Sequence, residues 1–279
     1  MSIELPEARI LAHQLDDALK GKVIKAYDLQ DIERMTKTGF INKDPSDFNA
    51  IKGKSVMGAI SRGNTIRLQL SDSMNLLIAP EYGGVITYIP PKGKAPKYHL
   101  KLGFVDGSTL TIRITSMGVI QAVNDSGLPE NYMYKRDFLG GVSPDEPEFT
   151  LYWFRDTIGT EKRQLKPLLV GKEAHIIGMS NASFQDVIYQ AKLHPKRKAS
   201  DLSEDELEAL YDVIKTVIDE RLKLGGKDEF RDLYGSRGGY NAAMGPNMKD
   251  QFCPNCGSAI MRIAHGGGHV YLCPGCQRE

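Results

Sequence analysis

Apolar and polar positions divide this chain into two parts with different rhythms. The N-terminal stretch reads as a short helix. After it, ALKGKVIKAYDL, SVMGAISRGNTIRLQL, NLLIAPEYGGVITYI, LKLGFVDG and TLTIRITSMGVIQAV form short apolar runs with partial alternation, separated by Gly, Asn, Asp and Pro. Alternation of period two predicts strands, and the Asp106-Gly107 pair in FVDGSTLTI signals a tight hairpin turn. Several short strands at this spacing predict a sandwich or barrel.

The rhythm changes near GGVSPDEPEF, Gly140 to Phe149, where Gly, Pro and acids cluster. Beyond it the period lengthens to that of helices, with Phe184, Val187 and Ile188 on one face. The clearest helix starts at Ser203, which forms a capping box with Glu206. Leu207, Leu210, Tyr211, Ile214, Val217, Ile218 and Leu222 then recur every three to four residues until Gly225-Gly226 stops the helix. This stripe predicts core packing. The polar, glycine-dense run from Gly225 to Gly245 predicts a binding loop or a disordered segment. The expected organisation is a sheet domain over 1–139, a linker over 140–149, a helical domain over 150–248 and a terminal hairpin over 249–279. There are no internal repeats.

Composition narrows the class without naming a function. The 279 residues are 41% hydrophobic and 25% charged, which is ordinary for a globular protein with a sizeable core. No run approaches the eighteen or more apolar residues of a membrane span, and the N-terminus lacks the pattern of a secretion signal. The expected compartment is the cytoplasm, with no membrane partner. The net charge of +1 conceals a basic cluster, LHPKRK from Leu193 to Lys198, which is either a solvated turn or a contact for an acidic partner.

The tail carries the sharpest chemistry. CPNC and CPGC, sixteen residues apart, contain all four cysteines: Cys253, Cys256, Cys273 and Cys276. Two C-x-x-C pairs bracketing a hairpin-sized insert present four thiolates to one tetrahedral zinc. A cytosolic compartment disfavours the alternative of two disulfides. With all four positions filled by protein, this zinc would be structural. His265 and His269, between the pairs, are expected as surface or contact residues.

At the other end, ELPE places Glu4 and Glu7 three residues apart just before the first helix. Together with GMSNASFQDVIYQAKLHP, GGKDEFRDLYGSRGGY and CPNC…CPGCQ, in that order along the whole chain, it resembles the formamidopyrimidine-DNA glycosylase and endonuclease VIII family of base-excision repair. The resemblance implies an α+β protein of two domains. The first is an N-terminal β-sandwich with an N-terminal helix. The second is a helix–two-turn–helix domain with a four-cysteine zinc-finger hairpin. It also implies a partner, duplex DNA containing damaged bases or abasic sites, with the damaged base flipped into a pocket. A monomer is expected.

In that family an N-terminal proline amine attacks the sugar C1′ and forms a Schiff base, and the adjacent glutamate moves protons. Here the glutamates fall on Glu4 and Glu7, but the proline falls on Ile3, with one residue too many in front. Loss of Met1 would leave the amine on Ser2, about 3.5 Å out of register. The hairpin lysine falls on Asn64, with Arg62 nearby, and the finger arginine falls around Gly268. Among the wedge residues a methionine becomes Tyr82, and an arginine and a phenylalanine become Ser116 and Met117. Tyr82 would either stack between bases or stand as an ordinary exposed tyrosine. The resemblance places Asn181 and His194 at the phosphate-holding helix–two-turn–helix, with Lys196, Arg197 and Lys198 beside it. Pro195 marks the second turn, or simply the junction of two helices. Arg231, Tyr234 and Arg237 fall in the loop that covers the flipped base in some members.

Three readings follow. The first is a glycosylase of altered mechanism in which Glu4 activates water, with zinc as the only cofactor and without lyase activity. The second is a lesion-binding protein with no chemistry, in which Glu4 merely caps the helix. The third is a bifunctional enzyme using the Ser2 amine. A more distant alternative is an RNA-binding zinc ribbon.

Overall fold

A computed structural model describes residues 2–278. The chain divides into two compact units. The first comprises residues 2–139 together with Leu224–Gly239. The second comprises Gly140–Lys223 and the C-terminal residues from Tyr240 onward. Among the described residues, no helix is long and apolar enough to cross a membrane.

In the first unit, helix α1 (Leu5–Leu19) begins at the ELPE stretch. Glu4 is its N-cap, Pro6 sits in the first turn where a missing N–H costs nothing, and Glu4 and Glu7 form a reciprocal capping box. The buried residues Ala8, Leu11, Ala12, Leu15 and Leu19 follow helical spacing, so one face of α1 is committed to the core. Asp16 extends that anchoring by accepting the backbone N–H of Ala59 at 2.8 Å.

Strands β1 (Ile24–Leu29), β2 (Val56–Arg62), β3 (Thr65–Leu70), β4 (Met74–Ile89), β5 (Leu100–Phe104) and β6 (Thr109–Asn124) form one antiparallel sheet in the order β1-β5-β6-β4-β3-β2. The strands of the expected sandwich are thus hydrogen-bonded into a single continuous sheet. β4 and β6 are each sixteen residues long and pair along their length, with irregular register around Ala79, Tyr82 and Gly84. Bulges of this kind bend strands. Gly118 is required at the bend, because a Cβ there would lie 2.5 Å from the Ala79 carbonyl oxygen. Leu68 and Leu76 from one half of the sheet join Leu102 and Ile112 from the other in a single core.

The glycine-dense stretch expected within the helical domain behaves differently from that expectation. Leu224–Gly239 is ordered and belongs to the first unit, where Phe230 and Leu233 are fully buried in the core beneath the sheet. Phe230→Ala is expected to cost about 3–5 kcal/mol and to lower the melting temperature on the order of 10 °C, measurable by calorimetry.

The second unit contains α3 (Asn181–Gln190) and α4 (Glu204–Lys223), numbered after the short α2 (Ile32–Lys37) of the first. The capping box at Ser203 is present: the Ser203 N–H donates to Glu206 at 2.9 Å, and the Glu206 N–H donates to Ser203 Oγ at 3.2 Å. The stretch expected as a linker, 140–149, is instead packed into this unit. Ser143 is buried, and Phe149 stacks on Tyr211 with centroids 5.1 Å apart. The terminal hairpin pairs β7 (Met261–His265) with β8 (Gly268–Leu272) around Gly266-Gly267, both at positive φ as a tight two-residue turn requires.

Candidate active site

Glu4 and Glu7 are both fully buried in the first unit. Each is fixed by main chain. The Glu4 N–H donates to Glu7 Oε2 at 3.1 Å, and the Lys227 N–H donates to Glu7 Oε1 at 3.1 Å. Glu7 thereby joins the start of α1 to a segment 220 residues away. Both carboxylates sit at the N-terminal end of α1, where the helix's unpaired N–H groups and positive dipole end lie.

The residue that completes this site is one the sequence did not single out. Lys227 is 9% exposed and extends its amine into the N-terminal segment. Its Nζ donates to the Ser2 carbonyl at 2.7 Å and to Ser2 Oγ at 2.9 Å, and lies 3.5 Å from Glu4 Oε2. A lysine following Gly225-Gly226 was the only available signal, and nothing in local spacing links it to the N-terminus.

Ser2 itself is buried at 4% exposure and bridges to Tyr82 on β4. Met1, whose removal would free the Ser2 amine, lies outside the described residues. Ile3, at the position where the resemblance has proline, is 1% exposed, and its N–H donates to the Glu81 carbonyl at 3.2 Å. Its nitrogen is therefore a peptide nitrogen tied into the sheet edge, with no nucleophilic role.

Tyr82 is 40% exposed and sits opposite Met117 in the β4–β6 register; Met117 is 54% exposed and Ser116 is also exposed. The three expected wedge positions thus converge at the bend of the sheet. Glu81, next to Tyr82, pairs with Arg136, which also holds Asp137. The hairpin positions are less open. Arg62 donates from Nη1 to the Asp137 carbonyl at 2.8 Å, and the buried Asn64 Oδ1 has no hydrogen-bond partner. Arg231 and Arg237 are exposed but reach back to their own loop: Arg231 to the Gly235 carbonyl at 3.4 Å, Arg237 to the Asp228 carbonyl at 3.0 Å. Tyr234 is exposed and meets Tyr88 edge to face.

In the second unit, Asn181 opens α3 and Ser180 caps it, accepting the Ala182 N–H at 3.3 Å. Asn181 Nδ2 donates to the His269 carbonyl on the finger at 2.8 Å, while its Oδ1 is buried without a partner. His194 is buried and its Nδ1 accepts the Lys196 N–H at 3.4 Å. Lys196 and Lys198 are exposed. Arg197, expected beside them as a backbone contact, forms a two-pronged pair with Glu206 at 2.9 and 3.1 Å and donates to the Asp201 carbonyl. That geometry makes it a brace for α4. Lys166 donates to the His265 carbonyl at 2.7 Å under the finger turn, and burial pushes its pKa down.

The four cysteine Sγ atoms lie within 4.8 Å of one another, and the cysteines are unpaired by disulfides. A tetrahedral zinc with bonds of about 2.3 Å would place sulfurs about 3.8 Å apart. Cys253–Cys276 at 3.7 Å and Cys256–Cys273 at 3.3 Å match that scale. The thiols divide their charge unevenly. The hydrogen bond from Cys256 pushes Cys276 up to about 12. Cys253, against the cost of burial, is drawn down to about 6 by the Tyr189 hydroxyl and two backbone amides. A dication relieves this conflict by letting all four ionise. The cluster is bound to α3 through Tyr189, 3.3 Å from Cys253 Sγ, and through Gln277, which bridges the Cys273 N–H and the Leu193 carbonyl.

Fold and site together define a two-unit protein with a buried acid–amine site at its N-terminus and a four-cysteine finger at its C-terminus. The chain belongs to the formamidopyrimidine-DNA glycosylase family. The profile of that family's N-terminal domain matches residues 3–115, and the profile of its H2TH domain matches residues 140–231. The formamidopyrimidine-DNA glycosylase of Roseiflexus sp. (strain RS-1) is 30% identical over 99% of both chains, and that of Lactococcus lactis subsp. cremoris is 25% identical over 99% of both. Among solved structures, the Lactococcus lactis Fpg in complex with abasic-site DNA superposes with a TM-score of 0.83 at 23% identity, covering 99% of this chain and 100% of that one. The likeness to that structure establishes the fold.

Proposed function

We propose that this protein is a base-excision-repair DNA glycosylase that binds duplex DNA containing a damaged base and releases that base, with Glu4 activating the attacking water. The observation that carries the reading is the Glu4 carboxylate: fully buried, fixed at the N-terminus of α1 and facing an ammonium 3.5 Å away. A carboxylate so placed can take a proton from water as it attacks C1′. The relatives support the partner class, since the Lactococcus lactis enzyme has been crystallised with abasic-site DNA and with DNA containing N7-benzyl-Fapy-dG. Strand cleavage through the Ser2 amine is not part of this reading. Cys253, Cys256, Cys273 and Cys276 would hold one zinc, which supplies structure to the finger.

The exposed Lys196 and Lys198 would contact the phosphate backbone. Lys196→Ala is expected to reduce the slope of log affinity against log salt by about one, and to weaken damaged and undamaged duplexes alike. Fluorescence anisotropy across a salt series measures this. A flat salt curve for the wild type, or tighter binding to matched RNA than to the abasic duplex, would remove the DNA reading.

The second reading, a lesion binder without chemistry, is favoured by the loss of charge at Asn64 and Gly268 and by Ile3 in place of proline. Base release from a lesion duplex, absent from the undamaged one, separates the two. A binder would hold the lesion and release nothing.

A further inference from the structure

We infer that the Lys227 ε-amine is the Schiff-base nucleophile of this site, in the role left open by the missing N-terminal proline. The inference rests on the proposed delivery of an abasic or damaged nucleotide to Glu4.

Three observations carry it. First, position: the Nζ lies 2.7 Å from the Ser2 carbonyl and 2.9 Å from Ser2 Oγ, which puts a primary amine against the residue preceding Ile3. Second, chemistry: Glu4 Oε2 is 3.5 Å from that Nζ, so a base for the ammonium proton is in place. Third, rigidity. The Lys227 N–H is fixed by Glu7, and Phe230 and Leu233 anchor the segment in the core. Gly238 closes over it so tightly that a Cβ there would stand 2.3 Å from both the Gly226 and Lys227 carbonyl oxygens. Gly226, at φ +93°, supplies the turn that aims the lysine inward. A surface lysine needs none of this framework, and a lysine serving only as counter-ion would not need its amine shared with Ser2.

The step balances without any external oxidant or reductant. Glu4 accepts a proton from the Lys227 ammonium, and the neutral amine adds to the C1′ aldehyde of a ring-opened abasic deoxyribose, forming the N–C1′ bond. The carbonyl oxygen takes the proton back from Glu4. One of the two nitrogen protons then passes through Glu4 to that hydroxyl, which leaves as water as the C1′=N bond forms, giving the protonated imine that borohydride reduces.

The test is borohydride trapping of the full-length, zinc-loaded protein on an abasic-site duplex, followed by digestion and mass mapping of the adduct. The expected result is a covalent adduct on the peptide containing Lys227. Lys227→Arg keeps the positive charge beside Glu4 but presents a guanidinium that does not deprotonate, and is expected to reduce adduct yield at least about a hundredfold. Wild-type protein acetylated at its N-terminal amine keeps the test informative if that variant folds poorly, and its adduct yield should be undiminished. An adduct on the N-terminal amine, or one that survives Lys227→Arg, overturns the assignment. Anisotropy on the same duplex separates the two levels: binding without an adduct removes this proposal alone, whereas absence of binding removes the lesion-DNA reading with it.

Discussion

Cys273→Ser, or exhaustive chelation of the wild type, should unfold the finger and lower the melting temperature of the second unit on the order of 10 °C or more. The β7–β8 hairpin has five residues per strand, too little to be stable in water by itself. A structural zinc contributes roughly 10–16 kcal/mol of binding free energy in finger peptides, and that energy is folding energy. Cys273 is fully buried, and its N–H is held by Gln277, whose amide also reaches the Leu193 carbonyl. Loss of the metal therefore disturbs the turn after α3 as well as the hairpin. The effect will be smaller than the finger-peptide value, because Val270 remains in the core of the second unit and Asn181 and Lys166 still hold the hairpin backbone. Elemental analysis should return one zinc per chain. A protein that contains no zinc and melts identically with and without chelator would contradict this account of the finger.

Glu4→Gln carries the largest expected effect on chemistry. Glutamine preserves the volume and one acceptor oxygen, so the cap on α1 survives, but it cannot take a proton from water. Removing a positioned general base lowers a rate by about 10²- to 10⁴-fold. Affinity for the lesion duplex should change only a few-fold, since Glu4 is buried and distant in role from phosphate contacts. The substitution also leaves the Lys227 ammonium without its nearest carboxylate. Full isolation of a buried charge costs about 3–5 kcal/mol. Lys227 keeps two hydrogen bonds to Ser2, so we expect about 1–2 kcal/mol and a melting temperature lower by a few degrees. A variant that matches wild type in base release would reduce Glu4 to a helix cap.

That cap is itself informative about what a sequence discloses. Glu4 caps α1, as one alternative reading anticipated, in a capping box with Glu7 that was not anticipated, and both residues also meet Lys227. The cap and the proposed chemistry fall on the same side chains, so a local pattern could not choose between them. Features set by neighbours in sequence were legible: the Ser203 cap, the apolar stripe of α4, the cysteine spacing and the long runs that became β4 and β6. The run NLLIAPEYGGVITYI contains Pro80, Gly83 and Gly84 and still forms one strand, because register irregularities absorb them.

What escaped was set by distance along the chain. Lys227 and Ser2 are separated by 225 residues, and no periodicity connects them. The return of Leu224–Gly239 to the first unit was hidden for the same reason: its two core anchors, Phe230 and Leu233, stand isolated among polar and glycine residues. Arg197 in the basic cluster, expected as a contact for an acidic partner, pairs with Glu206, nine residues on, a partner that the cluster itself did not single out.

On the proposed function, this acid–amine site performs chemistry on DNA. Its most direct test is single-turnover base release by the purified wild type, with its N-terminal mass verified, across duplexes each bearing one oxidised, ring-opened or otherwise damaged base. Alkali treatment of the quenched reactions converts every released base into a strand break, whether or not the protein cleaves the strand. Release is expected from at least one damaged duplex and none from the undamaged control. Tight, salt-sensitive binding to the same duplexes with no release from any of them would contradict it and leave a lesion-binding protein.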